Sequence, residues 1–271
     1  MGGAGMSART ILAAALLLAA SPAAADDMFV PLPKGMDWDE VMKPDAMQFS
    51  LVAAGNRHVL VAWGQIAGGD SERFRMALDQ ARPIAEVWLD SPGGSLEEGL
   101  EMGRILRARK VTTRVPRGLH CISACNFAFM GGTVRYVEVG AEFGVHMFSS
   151  DAADRIRSHL VKPPETVTEY NMQFPQGQLD PDGVETYIAK YNAAHPDSPK
   201  TLSALLLDQA LDEDTKAIQQ GSAQTAAEIA RYLTEMSLSL RFLTEFADIP
   251  NSAPRALSRQ ELRDFNVVNT D

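Results

Sequence analysis

From residue 48 onward, short apolar runs alternate with segments whose apolar positions recur every three or four residues. Runs at 49–52 and 58–63, parted by Gly55-Asn56, predict two strands joined by a turn. Gly68-Gly69-Asp70 breaks the chain, and Asp70 is placed to cap a helix running to about Gln80. The apolar run 84–89 predicts a strand that ends at Asp90-Ser91-Pro92-Gly93-Gly94. Leu96, Leu100, Met102, Ile105 and Leu106 recur at helical spacing, which predicts a helix over 95–108. A β-branched strand over 111–115, a helix over 124–130 stopped by Gly131-Gly132, and strands over 134–139 and 143–147 follow. Strands alternating with helices in this way predict a layered α/β domain with a mainly parallel sheet.

The two ends read differently. Residues 148–182 lose periodicity, and Pro163-Pro164, Pro175 and Asp180-Pro181-Asp182-Gly183 mark an irregular insertion. Helical patterns return over 184–192, 201–218, 225–246 and 259–264, giving a helical C-terminal third. The stretch 225–246 places Ile229, Tyr232, Leu233, Met236, Leu240 and Leu243 on one face, suited to core packing or to an oligomer interface. Before the domain at 48–271, residues 26–47 carry Pro31, Pro33, Gly35 and Pro44 and predict an extended N-terminal arm. Residues 1–25 have the order of a secretory signal: Arg9, an apolar run from Ile11 to Ala20, then Ala23-Ala24-Ala25. Cleavage after Ala25 would leave a periplasmic or secreted chain with no stable membrane anchor.

Composition narrows the class. With 271 residues, 45% hydrophobic and 22% charged, the chain has material for a packed core and is not a disordered segment. A formal charge of -10 argues against a nucleic-acid partner, which needs a basic face. The two cysteines, Cys121 and Cys125, are too few for a disulfide-rich miniature fold or a four-thiolate zinc site. Together with His120 they lack the ligand number and supporting shell of a metal centre, so neither a metal nor another cofactor is expected. Export permits their oxidation, and two cysteines allow one pairing. Four residues of helix hold Cα atoms near the upper limit for a disulfide, so a Cys121–Cys125 bond requires Cys121 to precede the helix.

Three features carry chemistry. The Gly93-Gly94 turn follows a buried strand, where exposed amides can hold a developing oxyanion; an ordinary strand-to-helix turn is the plainer reading. Ser123 opens a short helix between the two cysteines, where serine is most often a cap. His146 falls in an apolar strand after Gly144-Val145, where a lone histidine is usually a satisfied core residue. Taken in order, the three supply an oxyanion donor, a nucleophile and a base. His58, His159 and His195 stand alone and are expected at surfaces or strand ends, and Phe127, Phe129 and Met130 in the core.

At these residues the chain resembles the clan of the Clp protease proteolytic subunit and crotonase. Ser91-Pro92-Gly93-Gly94 is similar to the clan's oxyanion turn, Ser123 to its nucleophile, Ala124 to the residue donating the second oxyanion amide, and His146 to its base. Cys121-x-Ser123-Ala124-Cys125 with Gly144-Val145-His146 looks like the exported, periplasmic branch of Clp-like proteins. The resemblance covers about residues 58–148 and returns at 256–262. It implies a spiral of strand-strand-helix units, a peptide or protein substrate, independence from ATP and homo-oligomerisation. Ser258-Arg259-Gln260-Glu261-Leu262 resembles the helix start that follows the clan's third catalytic group, which nominates Asp248 as the group orienting His146. The amide oxygen of Asn251, or a backbone carbonyl, is the alternative. The resulting expectation is an exported serine peptidase (a hydrolase) against two alternatives, a catalytically inactive Clp-like interaction protein and a crotonase-like acyl-transfer enzyme.

Overall fold

The apolar pattern folds into a mixed α/β architecture with a helical C-terminal part. The computed structural model describes residues 28–32, 38–147 and 152–270. The expected signal segment 1–25, and residues 26–27 and 33–37 of the arm, lie outside the described residues. The arm is not extended throughout: Phe29 bridges to Phe49 in parallel, but a helical turn, α1 (Trp38–Val41), interrupts it.

β1 (Gln48–Ala54) and β2 (Arg57–Trp63) form an antiparallel hairpin across Gly55-Asn56. α2 (Asp70–Gln80) leads to β3 (Ile84–Asp90), and α3 (Leu96–Arg109) leads to β4 (Thr112–Val115). A second, smaller sheet begins with β5 (His120–Ile122), a strand with no counterpart in the apolar pattern. α4 (Ala124–Met130), β6 (Arg135–Val137) and β7 (Glu142–Val145) complete the α/β part. The main sheet runs β1-β2-β3-β4-β6, parallel from β2 onward. β2 is buried on both faces, as parallel strands are. Leu60 and Ala62 enter the main core with Phe74, Leu100, Leu106 and Phe129, while Val59, Val61 and Trp63 pack under Val30 and Leu32 of the arm.

Several expectations are corrected. Asp70 does not cap α2, because Gly69 occupies that position; its buried carboxylate instead accepts the N–H groups of Met47 (2.9 Å) and Ala67 (2.7 Å), tying the arm to the helix start. Residues 148–151 lie outside the described residues, but most of the rest of the expected irregular insertion is helical, with connections at 162–166 and 174–180. It forms α5 (Ala152–Val161), α6 (Val167–Gln173) and the start of α7 (Pro181–Ala194). The prolines there delimit helices: Pro181 sits in the first turn behind the Asp180 cap, where a missing N–H costs nothing. The helices expected over 201–218 and 225–246 are one continuous helix, α8 (Leu202–Glu235), followed by a separate α9 (Arg241–Phe246). A single Gly221 costs a helix only about 1 kcal/mol and does not end it. β8 (Arg255–Ala256) joins β7 antiparallel, and α10 (Arg259–Asp264) closes with a capping box between Ser258 and Glu261.

α8 belongs to two cores. Its C-terminal half docks on α4 through Tyr232, whose hydroxyl donates to the Phe127 carbonyl (2.5 Å) and whose phenol is pushed upward by full burial. Its N-terminal half joins α6 and α7 in a separate cluster around Tyr170, Val184, Leu205 and Leu206. His159 of α5 is buried there, against expectation, with Nδ1 2.8 Å from Asp214 of α8. Among the described residues no helix is long and apolar enough to cross a membrane.

The far edge of the main sheet is held by Arg135, 2% exposed. Its guanidinium donates to the carbonyls of Gly132 (2.9 Å), Asn266 (2.7 Å) and Val267 (2.7 Å), fastening the C-terminal tail to β6. Burial lowers its pKa to about 10, so it remains charged at neutral pH. Arg135→Leu strands three carbonyls, two of them in buried bonds. It should lower unfolding free energy by roughly 3 kcal/mol in urea titration, with Arg135→Lys intermediate.

Candidate functional site

The carboxyl ends of parallel strands are where open α/β sheets bind ligands, and β3 ends here in Ser91-Pro92-Gly93-Gly94. Ser91 forms a parallel bridge with Cys121: its N–H donates to the His120 carbonyl (2.8 Å) and its own carbonyl accepts from Ile122 N–H (3.0 Å). The turn is thus laid against the strand that delivers Ser123. The approach is close enough to require glycine. A Cβ on Gly93 would fall 2.6 Å from the Ile122 carbonyl oxygen and 2.7 Å from Ser123 Cβ, and one on Gly94 would fall 2.1 Å from the Ile66 carbonyl oxygen. Both glycines also have φ in the left-handed region, 96° and 138°.

Ser123 itself adopts φ 58°, ψ -124°, a conformation that disfavours any L side chain by about 1–3 kcal/mol and needs its surroundings to enforce it. Besides the packed Gly93 turn, three restraints do so. The Cys121–Cys125 disulfide spans it, with Cα atoms 5.2 Å apart; Cys121 lies in β5, ahead of the helix, as the geometry of such a bond demands. Ser123 N–H donates to the Gly144 carbonyl of β7 (3.1 Å), and Asn126 N–H donates to the Ser123 carbonyl (2.9 Å). Ser123 does not act as a side-chain cap of α4. Among the described residues its hydroxyl makes no hydrogen bond, and it borders a cavity of about 240 Å³.

The same cavity is bordered by His146, Gly94 and Ala124, with walls from Leu96, Phe127, Phe242 and Phe246. His146 lies one residue past the end of β7, not within it, which leaves the ring partly exposed. Its Nδ1 is 2.7 Å from the Met147 carbonyl and 3.0 Å from Asn251 Oδ1. An acceptor that cannot be anything but a carbonyl at 2.7 Å means that Nδ1 carries the proton, so Asn251 presents its oxygen and Nε2 is left as the basic nitrogen. Asp248, nominated as the orienting group, makes no hydrogen bond to His146. Met147 N–H donates to the Ile249 carbonyl (2.7 Å), so the chain leaving α9 first meets the histidine segment one residue after Asp248, whose side chain stays in solvent.

The expected oxyanion donors separate. Gly93 N–H donates to Ser91 Oγ (3.1 Å), and Gly93 does not border the cavity. Gly94 and Ala124 border it, and among the described residues their amides donate to nothing.

Behind the turn lies a group that sequence reasoning did not single out. Asp90, 0% exposed, accepts His120 N–H through Oδ1 (2.9 Å), while its Oδ2 and His120 Nδ1 are buried without partners among the described residues. The imidazole sits 3.7 Å from Oδ1 and is covered by the Trp38 ring, 4.4 Å between centroids. Burial raises the Asp90 pKa from the ordinary 3.8 to about 6, the bonds from His120 opposing it.

Two outcomes follow from this geometry. Because the folded value for Asp90 lies above the unfolded one, the folded chain keeps a proton that the unfolded chain has released between about pH 4 and 6. Stability present below pH 4 is therefore lost as pH rises to about 6. Asp90→Asn should flatten that decline and melt higher than the parent at pH 7, as read by thermal melts across the range. Removing the disulfide with Cys121→Ala and Cys125→Ala together releases a very short loop, and should cost about 2 kcal/mol in denaturant titration. An unchanged midpoint would show that the hydrogen bonds alone hold Ser123. In comparison with known proteins, the chain matches no family model and no curated sequence, so the chemistry of the site is argued from its geometry.

Proposed function

We propose that the chain is an exported serine peptidase acting without ATP, built on the Clp/crotonase-like spiral. The observation that carries this reading is Ser123 held at φ 58° on the wall of a cavity that it shares with a tautomerically fixed His146. In the reaction, Ser123 Oγ attacks a peptide carbonyl while His146 Nε2 takes the hydroxyl proton. The oxyanion accepts hydrogen bonds from Gly94 and Ala124 N–H. On collapse, His146 returns the proton to the leaving amine, and water then cleaves the acyl-enzyme by the same steps. Ser123 and His146 are not directly hydrogen-bonded, and such contacts commonly tighten only when substrate binds. The disulfide beside the nucleophile supports a life in an oxidising compartment, in line with the signal order at residues 1–25.

One observation favours a second reading, an interaction protein that has kept the fold without the chemistry: the group on His146 Nδ1 is the neutral Asn251, where the resembled clan has a carboxylate. Fluorophosphonate labelling of the mature, oxidised chain separates the two. The peptidase should be labelled, and Ser123→Ala should abolish labelling while changing stability by less than about 1 kcal/mol, since alanine inherits the same backbone strain. Asn251→Ala should slow labelling by roughly 10-fold or more by freeing the imidazole. A parent chain that takes no label decides for the interaction protein.

A further inference from the structure

We propose that Asn126 is a substrate-binding residue of this site, its amide oxygen accepting an N–H of the bound chain, which makes the substrate a peptide and not a simple ester; the inference rests on the serine peptidase reading. Asn126 is 3% exposed and borders the cavity three residues after Ser123. Its Nδ2 donates to the Gly144 carbonyl at 2.7 Å, the same carbonyl that accepts Ser123 N–H. That contact fixes the orientation of the amide, because reversing it would press two oxygens together at hydrogen-bond distance. Oδ1 is therefore the half of the amide that the clamp leaves unused, and it is buried with no donor among the described residues.

A buried acceptor left without a donor costs about 1–3 kcal/mol, a penalty that an apolar residue at this position would avoid. The clamp on Gly144 uses only the Nδ2 half of the side chain. The Oδ1 half has a role once a ligand supplies the missing donor. The surroundings select the kind of donor. Oδ1 is neutral, and Phe127, Val145, Phe242 and Phe246 supply apolar walls. An ammonium would lose its hydration there without a counter-charge, whereas an amide N–H exchanges one neutral hydrogen bond for another. A peptide main chain offers such donors at every residue, while an ester replaces one of them by oxygen.

The test is a cycle between the side chain and the probe, run on the mature, oxidised chain. The parent probe is acetyl-Ala-Ala-Phe diphenyl phosphonate, compared with three analogues, each N-methylated at one amide; the readout is the second-order rate of Ser123 phosphonylation. One analogue should react roughly 10- to 100-fold more slowly than the parent probe with the wild-type chain. With Asn126→Ala that difference should vanish, both probes reacting at a common, slower rate. Should Asn126→Ala fail to fold, Asn126→Ser keeps a hydroxyl donor for the Gly144 side while withdrawing the amide oxygen from its position, and should lose the discrimination likewise. Equal rates for all four probes with the wild-type chain overturn the proposal, as does undiminished discrimination in a folded Asn126 variant. Labelling by fluorophosphonate without reaction with the parent peptide probe also overturns it and leaves the serine-histidine site standing. Labelling by neither overturns the peptidase reading beneath it.

Discussion

The backbone at Ser123 is the constraint around which the α/β part is arranged. A non-glycine residue at φ 58°, ψ -124° does not hold that conformation by itself. It is over-determined from four directions: the disulfide closes the chain on either side of it, the Gly144 carbonyl takes its N–H, Asn126 takes its carbonyl, and the Gly93 turn packs against its Cβ. Each restraint belongs to a different element, β5, β7, α4 and the end of β3. Their register is therefore fixed together. Gly144 shows the tightness from the other side, since a Cβ there would meet the Ile122 side chain at 3.0 Å.

Asp90 and His120 stand on the far side of the turn, where the backbone link from His120 N–H to Asp90 joins β5 to β3 just before the residues that frame the cavity. α8 carries rigidity outward by docking Tyr232 on the Phe127 carbonyl, and Arg135 closes the opposite edge of the sheet. The first half of α8, with α5 to α7, has its own apolar cluster and contributes no described wall to the cavity, which α8 borders at Thr225 in its second half. The architecture thus divides into an α/β part that frames the cavity and a helical annex that shares one long helix with it.

Much of this was legible in the residues. Strands and helices whose apolar side chains face a single core, such as β1 to β4 and α2 to α4, stand close to where periodicity put them. Ser123, His146 and the turn at 93–94 do share one neighbourhood, and the cysteines are bonded. What periodicity missed depends on contacts distant in sequence. β5 has three residues and no apolar pattern of its own, and exists because Ser91 and Glu142 flank it with hydrogen-bond partners. Prolines at 163–164 and 181 were read as breakers, although at helix margins they only set boundaries. Choosing between Asp248 and Asn251 required knowing where the chain after α9 first touches Met147, a tertiary fact with no local signature. Nothing local in sequence separates Gly93 from Gly94; the difference is the Ser91 Oγ that takes the Gly93 amide.

The neutral pair of acceptors around His146 defines what sort of base it can be. Two oxygens at 2.7 and 3.0 Å fix the tautomer as firmly as a carboxylate would, so the geometry of proton transfer is served. The charge is not. An imidazolium formed on taking the serine proton would be stabilised by dipoles and by the solvent that reaches this partly exposed ring, and not by a buried anion. In the proposed peptidase, stabilisation of the transition state would then rest more heavily on the other pole. There, the unengaged amides of Gly94 and Ala124 lie beside apolar walls, where each donor counts for more than it would in water. The restraints around Ser123 would serve this balance, because preorganised amides act without reorganisation only when the backbone bearing them cannot relax.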